Sequence, residues 1–484
     1  MVKEKKQELA INVKKEENIS LWYTQVIQKA DLMDYTKVSG CIVFKPNSYQ
    51  IWEKIQSFFN EKIKKSGVKN VYFPLLIPQS LLMKEKDHVE GFTPEVAWVT
   101  QAGNSDLSEK LAIRPTSETL MYDSYSKWIN SYRDLPLRLN QWCSVVRWEF
   151  KHPTPFMRNR EFLWQEGHTA FALKEEADRE VLEILDYYKQ IYEDLLAIPV
   201  SKGRKSVGEK FAGADYTTTV EMIDPEAKSI QGGTSHHLGQ NFAKAFDITY
   251  LDKNQKKQYV YQNSWGITTR TLAAMILIHG DDKGLIIPPR VAENKIVIVP
   301  LLFKGKEEFV LKKAFEIKEE LEEFGIIIDD RDNVSAGFKF NEWELKGIPI
   351  RIEIGPKDIE NSLVQIVRRD TFEKFEIKFS DIKKNVLNIL EDIHKNLFEK
   401  AKDMMAKKTV CVYDFESFEK AILENKRCLV PWEENIASED EIKQKTGAKS
   451  SCIPFEFKEK SLDSVKCFYS GNPATCWAYF SKSH

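Results

Sequence analysis

The sequence predicts an α+β domain built on an antiparallel sheet, followed by an α/β domain and a small α+β C-terminal domain. Three observations predict it. First, two apolar runs, 137–150 and 162–171, read as strands; the segment between them, 151–161, carries prolines with Lys151, Arg158 and Arg160, as a basic loop joining antiparallel strands does. Second, from 295 the chain alternates strand 296–299, helix 307–324, strand 326–328, helix 336–346 and strand 350–354, the pattern of a mostly parallel sheet. Third, from about 407 the texture changes again, and this last stretch holds most of the seven cysteines. Domain boundaries are expected at 1–290, 291–400 and 401–484.

Residues 1–20 read as a charged, frayed lead-in. A long amphipathic helix is expected over 46–66, with Ile51, Trp52, Ile55, Phe58, Phe59 and Ile63 at helical spacing, Pro46 at its start and Gly67 at its end. An extended run ends at Pro74, and a polar stretch covers 84–106. A second helix, 174–197, keeps Ala177, Val181, Ile184, Tyr188, Ile191 and Leu195 in register. The texture shifts at Pro288-Pro289, and 380–405 reads as a helix leading away from the α/β domain.

Composition excludes several classes. Hydrophobic residues at 42% suffice for a sizeable core, and charged residues at 30% are ordinary for a globular chain. The most apolar run, 272–278, is far too short to span a bilayer. Residues 1–17 lack the apolar core of a secretory signal. No CxxC pair occurs, so reduced thiols in a cytoplasmic compartment are expected. A net charge of -2 gives no global pull toward nucleic acid, so an RNA partner must be held by local basic patches.

The chain has no GxxxxGK[ST] and no GxGxxG, so nucleotide chemistry here needs another architecture. The informative run is Val145-Val146-Arg147-Trp148-Glu149-Phe150, then the basic loop, then Arg160-Glu161-Phe162-Leu163-Trp164-Gln165-Glu166-Gly167-His168. Arg147 and Glu149, two apart on a strand, project from one face. Arg147 can then clamp a phosphate bidentately, and Glu149 can accept from an adenine amino group or position metal-bound phosphates. By itself such a pair is more often a cross-sheet ion pair. Its context is richer: Arg114-Pro115-Thr116-Ser117-Glu118 precedes it. Gln231-Gly232-Gly233-Thr234-Ser235-His236-His237-Leu238-Gly239 and Gly266-Ile267-Thr268-Thr269-Arg270 follow.

With these stretches the chain resembles the class II aminoacyl-tRNA synthetases, the prolyl enzymes in particular, from about residue 20 to 484. HIGH and KMSKS, the class I markers, are missing. The resemblance implies the class II synthetase fold for the first domain and an anticodon-binding fold for the second, whose matching runs are 351–357 and Arg368-Arg369-Asp370. It implies ATP, L-proline and the tRNA for proline as substrates, Mg²⁺ accompanying ATP, and a homodimer built by the helix and extended run that end at Pro74. Arg147 would hold the α-phosphate and the proline carboxylate, with Arg158 and Arg270 on the outer phosphates. Arg147 and Arg270 are therefore the expected catalytic residues. Gln231, Thr234 and Thr268, with Glu149, would complete the ATP site, and Gln262 would approach the metal.

A pocket for proline needs acceptors for a secondary ammonium and an apolar wall for the ring. Thr116 and Glu118 suit the first; Trp164 and Phe211 suit the second; Glu166, His168, His236 and Ser264 complete the expected pocket. Gly232 and Gly233 would let backbone approach the ligand. Trp164 and Phe211 are equally ordinary core residues, and Glu118 is equally an ordinary cap for a helix starting near Ser117. His236-His237 has no third ligand at zinc spacing. Only a short stretch separates His168 from Gln231, so no editing insertion is expected there.

Relatives of this type often carry a C-terminal zinc on four cysteines. Here those positions fall on Glu433, Ser438, Cys467 and Tyr469, so structural zinc is not expected. Trp432, Phe455, Phe457, Phe468, Trp477, Tyr479 and Phe480 are the candidate core in its place. Two rival readings remain at this level. A threonine or serine enzyme would lack the Trp-Gln-Glu-Gly-His wording, and an inactive RNA-binding paralogue should have lost Arg147, Glu149 and Arg270.

Overall fold

The structure, a computed structural model, describes residues 10–88, 95–149 and 151–484. Helix α1 (Ile19–Lys29) is capped by Asn18, whose side chain accepts from the Leu21 amide. Helix α2 (Pro46–Lys65) starts on its proline and buries Ile51, Trp52, Ile55, Phe59 and Ile63, the stripe read from periodicity. The lead-in is not frayed where it is described. Lys15 donates to the Gly280 carbonyl at 2.6 Å and lies over the Trp22 ring, so the chain before α1 is tethered from residue 15. Residues 1–9 lie outside the described residues. The polar stretch 84–106 also differs. Its far end belongs to a hairpin of Trp98–Ala102 with Ser105–Ile113, turning at Gly103, and its part at 89–94 lies outside the described residues.

Helix α3 (Glu118–Trp128) precedes the main sheet. Strands β1 (Leu137–Val146) and β2 (Glu161–Phe171) pair antiparallel across the basic loop, with Val146 opposite Glu161. Helix α4 (Lys174–Gln190), strands β3 (Ser201–Arg204), β4 (Tyr216–Ile223), β5 (Ser229–Gly239) and β6 (Tyr261–Thr268), and helix α5 (Arg270–His279) follow. The spatial order is β3-β4-β5-β6-β2-β1, with Lys69–Asn70 parallel to β1 at the edge. The strand expected over 137–150 ends at Val146 and lies next to the edge, not at the centre. Arg147 therefore sits just past the strand, although its N–H still bonds the Arg160 carbonyl at 2.8 Å.

Helix α4 covers one face of this sheet. The Tyr188 hydroxyl donates to Gln165 at 3.0 Å, and the Tyr192 hydroxyl to the Gly232 carbonyl at 2.8 Å. A Cβ on Gly232 would stand 2.7 Å from the Tyr192 ring, and one on Gly233 3.0 Å from Tyr188. Those glycines are therefore needed for helix packing, and both also line a cavity, where the sequence expects backbone to approach a ligand. Gly167 is tighter still, because a Cβ there would overlap the buried ring of Trp265 directly across the ladder.

The second domain runs β7 (Ile296–Pro300), α6 (Glu307–Glu320), β8 (Ile326–Ile328), α7 (Ala336–Lys346), β9 (Ile350–Ile354), β10 (Leu363–Arg368) and β11 (Lys374–Lys378), then α8 (Ile382–Lys408). The sheet order is β8-β7-β9-β10-β11. Its first two pairings are parallel, but β9-β10 and β10-β11 are antiparallel, so the sheet is mixed and not mostly parallel. Arg369 joins this domain to the end of α5 through a two-pronged pair with Asp281 at 2.8 and 2.6 Å.

The C-terminal segment forms β12 (Thr409–Cys411), α9 (Phe415–Leu423), β13 (Arg427–Trp432), α10 (Ile436–Thr446), β14 (Lys449–Pro454) and β15 (Cys476–Ser481). Its strands lie in the order β12-β13-β15-β14, and β14 pairs with β3, so the sheet continues into the main one as eleven strands. Phe418, Trp432, Phe468 and Phe480 share one buried cluster, whereas Phe455 packs against the core of the first domain. Cys467 is buried in the aromatic cluster. Glu433 accepts from Ser470 at 2.7 Å and from Asn472 at 3.0 Å; Ser438 donates to the Asn435 carbonyl; the Tyr469 hydroxyl bonds Lys445 at 2.6 Å.

Gly167→Ala should lose about 1–3 kcal/mol of stability by overpacking against Trp265. Thermal melting checks it: a clear drop in Tm is expected, and a parental Tm would refute the contact.

Candidate active site

The antiparallel register sets side chains in rows across the face that α4 leaves open. Thr217 stands opposite His236, His236 opposite Ser264, and Ser264 opposite His168. Two residues along the strands, Thr234 faces Gly266, Gly266 faces Glu166, and Glu166 faces Gln141. A further step brings Thr268 opposite Trp164. Directly opposed residues share a face, so these rows form one wall. They line a cavity of about 470 Å³, within the usual range for a small-molecule site.

Every site residue expected from the sequence lines this cavity except Gln262. Thr116 and Glu118 enter from the start of α3. Trp164, Glu166 and His168 come from β2, Gln231, Thr234 and His236 from β5, and Ser264 and Thr268 from β6. Phe211 comes from the loop before β4, Arg147, Glu149 and Arg158 from the end of β1 and the basic loop, and Arg270 from the start of α5. Gln262 shares the strand parity of Ser264 but stands opposite Gly239 and Ala170, beyond the last row. It is fully buried, and its amide has no hydrogen-bond partner among the described residues.

One end of the cavity is built around Glu166. Its carboxylate accepts from Thr116 at 3.0 Å, the Ser117 amide at 2.9 Å and Gln141 at 3.3 Å, and it meets His168 Nε2 at 3.1 Å. Burial opposes its charge, but the His168 and Ser117 hydrogen bonds outweigh burial and hold the carboxyl down at about 2. His168 Nδ1 meets the Tyr122 hydroxyl at 3.1 Å, and that hydroxyl lies 3.3 Å from Glu118. Across the cavity His236 is bracketed by Thr217 at Nδ1, 2.8 Å, and by Thr234 at Nε2, 3.0 Å. Burial first, and the neighbouring His168 second, push its imidazole down to about 3. It is therefore neutral, with one nitrogen donating and the other accepting. The Phe211 ring lies against it, centroids 4.7 Å apart. His237 points to the other face and stacks on Tyr216, so the two histidines cannot share a metal.

The other end is cationic. Arg147 and Arg270 lie just past the ends of β1 and β6, and Arg158 lies in the loop at that same end of the sheet. Arg147 Nε donates to the Pro115 carbonyl at 3.0 Å, and its guanidinium lies over the rings of Trp164 and Phe162 at 5.2 and 5.6 Å. Arg270 donates to the Met157 carbonyl at 3.2 Å and, at 3.4 Å, to that of Gln231. Burial lowers the pKa of all three, and Arg158 and Arg147 lower that of Arg270 further. Like charges held together at the N-terminus of α5 make an anion site. Sequence reasoning missed several wall residues. Phe162 alternates with Trp164 and was within reach of a period-2 reading. Thr217 and the buried Asn159, whose amide has no hydrogen-bond partner among the described residues, carry no sequence signal that marks them.

Residues 98–279 match the tRNA synthetase class II core domain (G, H, P, S and T), 295–389 the anticodon binding domain, and 415–484 the prolyl-tRNA synthetase C-terminal domain. The proline–tRNA ligase of Alkaliphilus oremlandii is 49% identical over 487 residues, all of both chains. The chain belongs to the proline–tRNA ligase family. A cytoplasmic proline–tRNA ligase of Arabidopsis thaliana is 49% identical over 98% of this chain and 91% of its own length. The bifunctional glutamate/proline–tRNA ligase of Mus musculus is 48% identical over 99% of this chain, which spans 33% of that longer protein. The likeness to proline–tRNA ligases thus extends across the cavity and both domains that follow it.

In the unfolded chain an imidazole titrates near 6.5, so a native His236 that refuses the proton contributes stability fully above that pH and loses it as pH falls toward 3. Urea midpoints should fall between pH 6.5 and 4, and less steeply in His236→Gln. An equal fall in both proteins would refute the assignment.

Proposed function

We propose that this chain activates L-proline with ATP to prolyl-adenylate and pyrophosphate, then esterifies proline to the 3' end of its tRNA. The observation that carries this reading is the sorting of charge along one cavity, with carboxylates, His168 and a neutral His236 at one end and three arginines at the other. The Glu118 end suits a secondary ammonium, and the Trp164, Phe211 and His236 rings suit the pyrrolidine ring. The arginine end suits the triphosphate. Membership of the proline–tRNA ligase family supports the choice of amino acid.

The proline carboxylate attacks the α-phosphate in line. Arg147, fixed by Pro115 and by two ring faces, is the arginine of the cationic end that reaches Trp164 and bridges carboxylate and α-phosphate, neutralising charge as it develops. Arg158 and Arg270 hold the departing pyrophosphate. Gln231, Thr234 and Thr268 meet the adenosine portion, and the unpartnered amide of Asn159 gains a ligand there. Mg²⁺ enters with ATP as part of the substrate; Glu149, exposed on the rim beside Arg147 and Arg158, is the carboxylate that would meet it, and Mg²⁺ screens the triphosphate charge. Preorganised groups, not covalent catalysis, supply the rate.

A homodimer fits the exposed apolar residues Tyr72, Leu75, Leu76 and Trp98 beside the edge strand. No helix among the described residues is long and apolar enough to cross a membrane, in keeping with a cytoplasmic site of action.

ATP–pyrophosphate exchange should require proline; equal exchange with threonine or serine, or none with any amino acid, sinks the reading. Arg147→Ala should cost about 3–4 kcal/mol of transition-state stabilisation, roughly 10²–10³-fold in exchange rate. A variant within threefold of the parent contradicts the bridging role. Light scattering should give twice the chain mass, and a monomer would remove the dimer.

A further inference from the structure

The loop between β3 and β4 carries Phe211, the ring laid against His236, and also Glu209 and Ala212 on the cavity wall. Sheet pairing to the C-terminal domain ends at Arg204, opposite Ile453. Beyond that point the loop is tied by side chains of that domain. Glu434 grips Arg204 with two hydrogen bonds, 2.7 and 2.6 Å, and accepts from the Val207 amide at 3.0 Å. Lys449 pairs with Glu209 at 2.6 Å. Glu439, on α10, accepts from the Ser206 hydroxyl at 2.8 Å and also from Ser450.

Glu439 is the unexpected member. It is 4% exposed, and no salt bridge reaches it among the described residues. A buried carboxylate held by hydroxyls and the Ser450 backbone, without a cation, is a costly choice for a packing position. Its partner Ser206 is placed where direction matters. The Ser206 hydroxyl accepts from the Glu209 amide at 3.1 Å and its carbonyl from the Lys210 amide at 2.9 Å, which together form the turn leading into Phe211. The Phe211 amide then donates to Thr217 at 2.9 Å, and Thr217 meets His236 at 2.8 Å. Hydrogen bonds, joined by the one peptide link from Lys210 to Phe211, therefore run from the C-terminal domain to the proline end of the cavity. Gly208 lies so close to the Glu439 carboxylate that a Cβ would stand 2.8 Å from it, which seats the turn against α10.

We propose that Glu439 and Glu434 are positioning residues for the proline pocket, setting through Ser206 and Arg204 the loop that presents Phe211 to the substrate ring. Neither touches substrate. The proposal rests on the assignment of that end to proline.

The test is exchange kinetics on the full chain with proline and ATP varied separately. Because misplacing a pocket wall weakens the ligand it contacts, Glu439→Ala and Ser206→Ala should raise KM for proline about tenfold and leave KM for ATP within twofold. Glu439→Gln, which keeps an acceptor for Ser206, should recover most of the loss. Glu434→Gln, at a less buried pair, carries the same test should Glu439→Ala fail to fold. Tryptic cleavage after Lys210 should quicken in Glu439→Ala and Ser206→Ala but not in Glu439→Gln, a readout independent of the substrate. A parent chain without proline-dependent exchange would fail the functional reading alone. Folded alanine variants with parental KM for proline, with both KM values raised in step, or with unchanged cleavage at Lys210 would overturn the positioning role.

Discussion

In the ladder that joins β4, β5, β6, β2 and β1, Ser264 stands between His236 and His168, and Glu166 stands between Gly266 and Gln141. Side chains alternate along a strand, so a slip of one residue in any of these pairings would turn Trp164, Glu166 and His168 away from the cavity together. Two close contacts hold the register. The Trp265 ring occupies the space above Gly167, and the Glu166 carboxylate ties β2 to Gln141 on β1 and to Thr116 and Ser117 before α3. The cavity chemistry depends on that register before it depends on any single residue.

Electrostatics then divide the cavity. At the closed end Glu166 stays ionised because donors converge on it, and His236 stays neutral because burial and the neighbouring His168 disfavour its proton, while a threonine hydroxyl meets each of its nitrogens. At the open end burial outweighs the nearby carboxylates. Arg147, Arg158 and Arg270 are desolvated and two of them press on the third, a strain that a polyphosphate relieves. An amino acid with an adjacent ammonium and carboxylate spans the boundary between the two regimes, where Arg147 sits. Helix α5 ties the phosphate end to the second domain, since it begins at Arg270 and ends beside Asp281, the partner of Arg369.

Much of this was legible in the sequence. Helix α2 and the elements β9 and α7 are set by strong local signals, a wide apolar stripe, a capping serine and a following glycine. The wall residues lay in short runs whose alternation places them on one face. What local patterning does not encode is pairing. Nothing in the run around Ile453 announces that it will join β3, so the last domain read as a separate unit when its sheet continues the first. The same limit hid the β10–β11 hairpin, whose outer strand alternates exposed lysines and glutamate with the half-buried Phe375 and the buried Ile377. Gln262 was drawn in by its place just ahead of the Gly266–Arg270 run, but nearness in sequence does not give its distance along the strand from the cavity. Gly232 and Gly233 line the cavity as expected, but the tyrosines that also require them to be glycine come from a helix remote in sequence.

The central claim is that the register creates a cavity with a proline end and a phosphate end meeting at Arg147. A crystal structure with a non-hydrolysable prolyl-adenylate analogue tests it most directly. The account predicts the pyrrolidine ring between Trp164 and Phe211, beside His236, and the acyl-phosphate mimic at Arg147. An analogue bound in reverse, with adenosine against Glu118 and His168, or seated outside this wall, would contradict it.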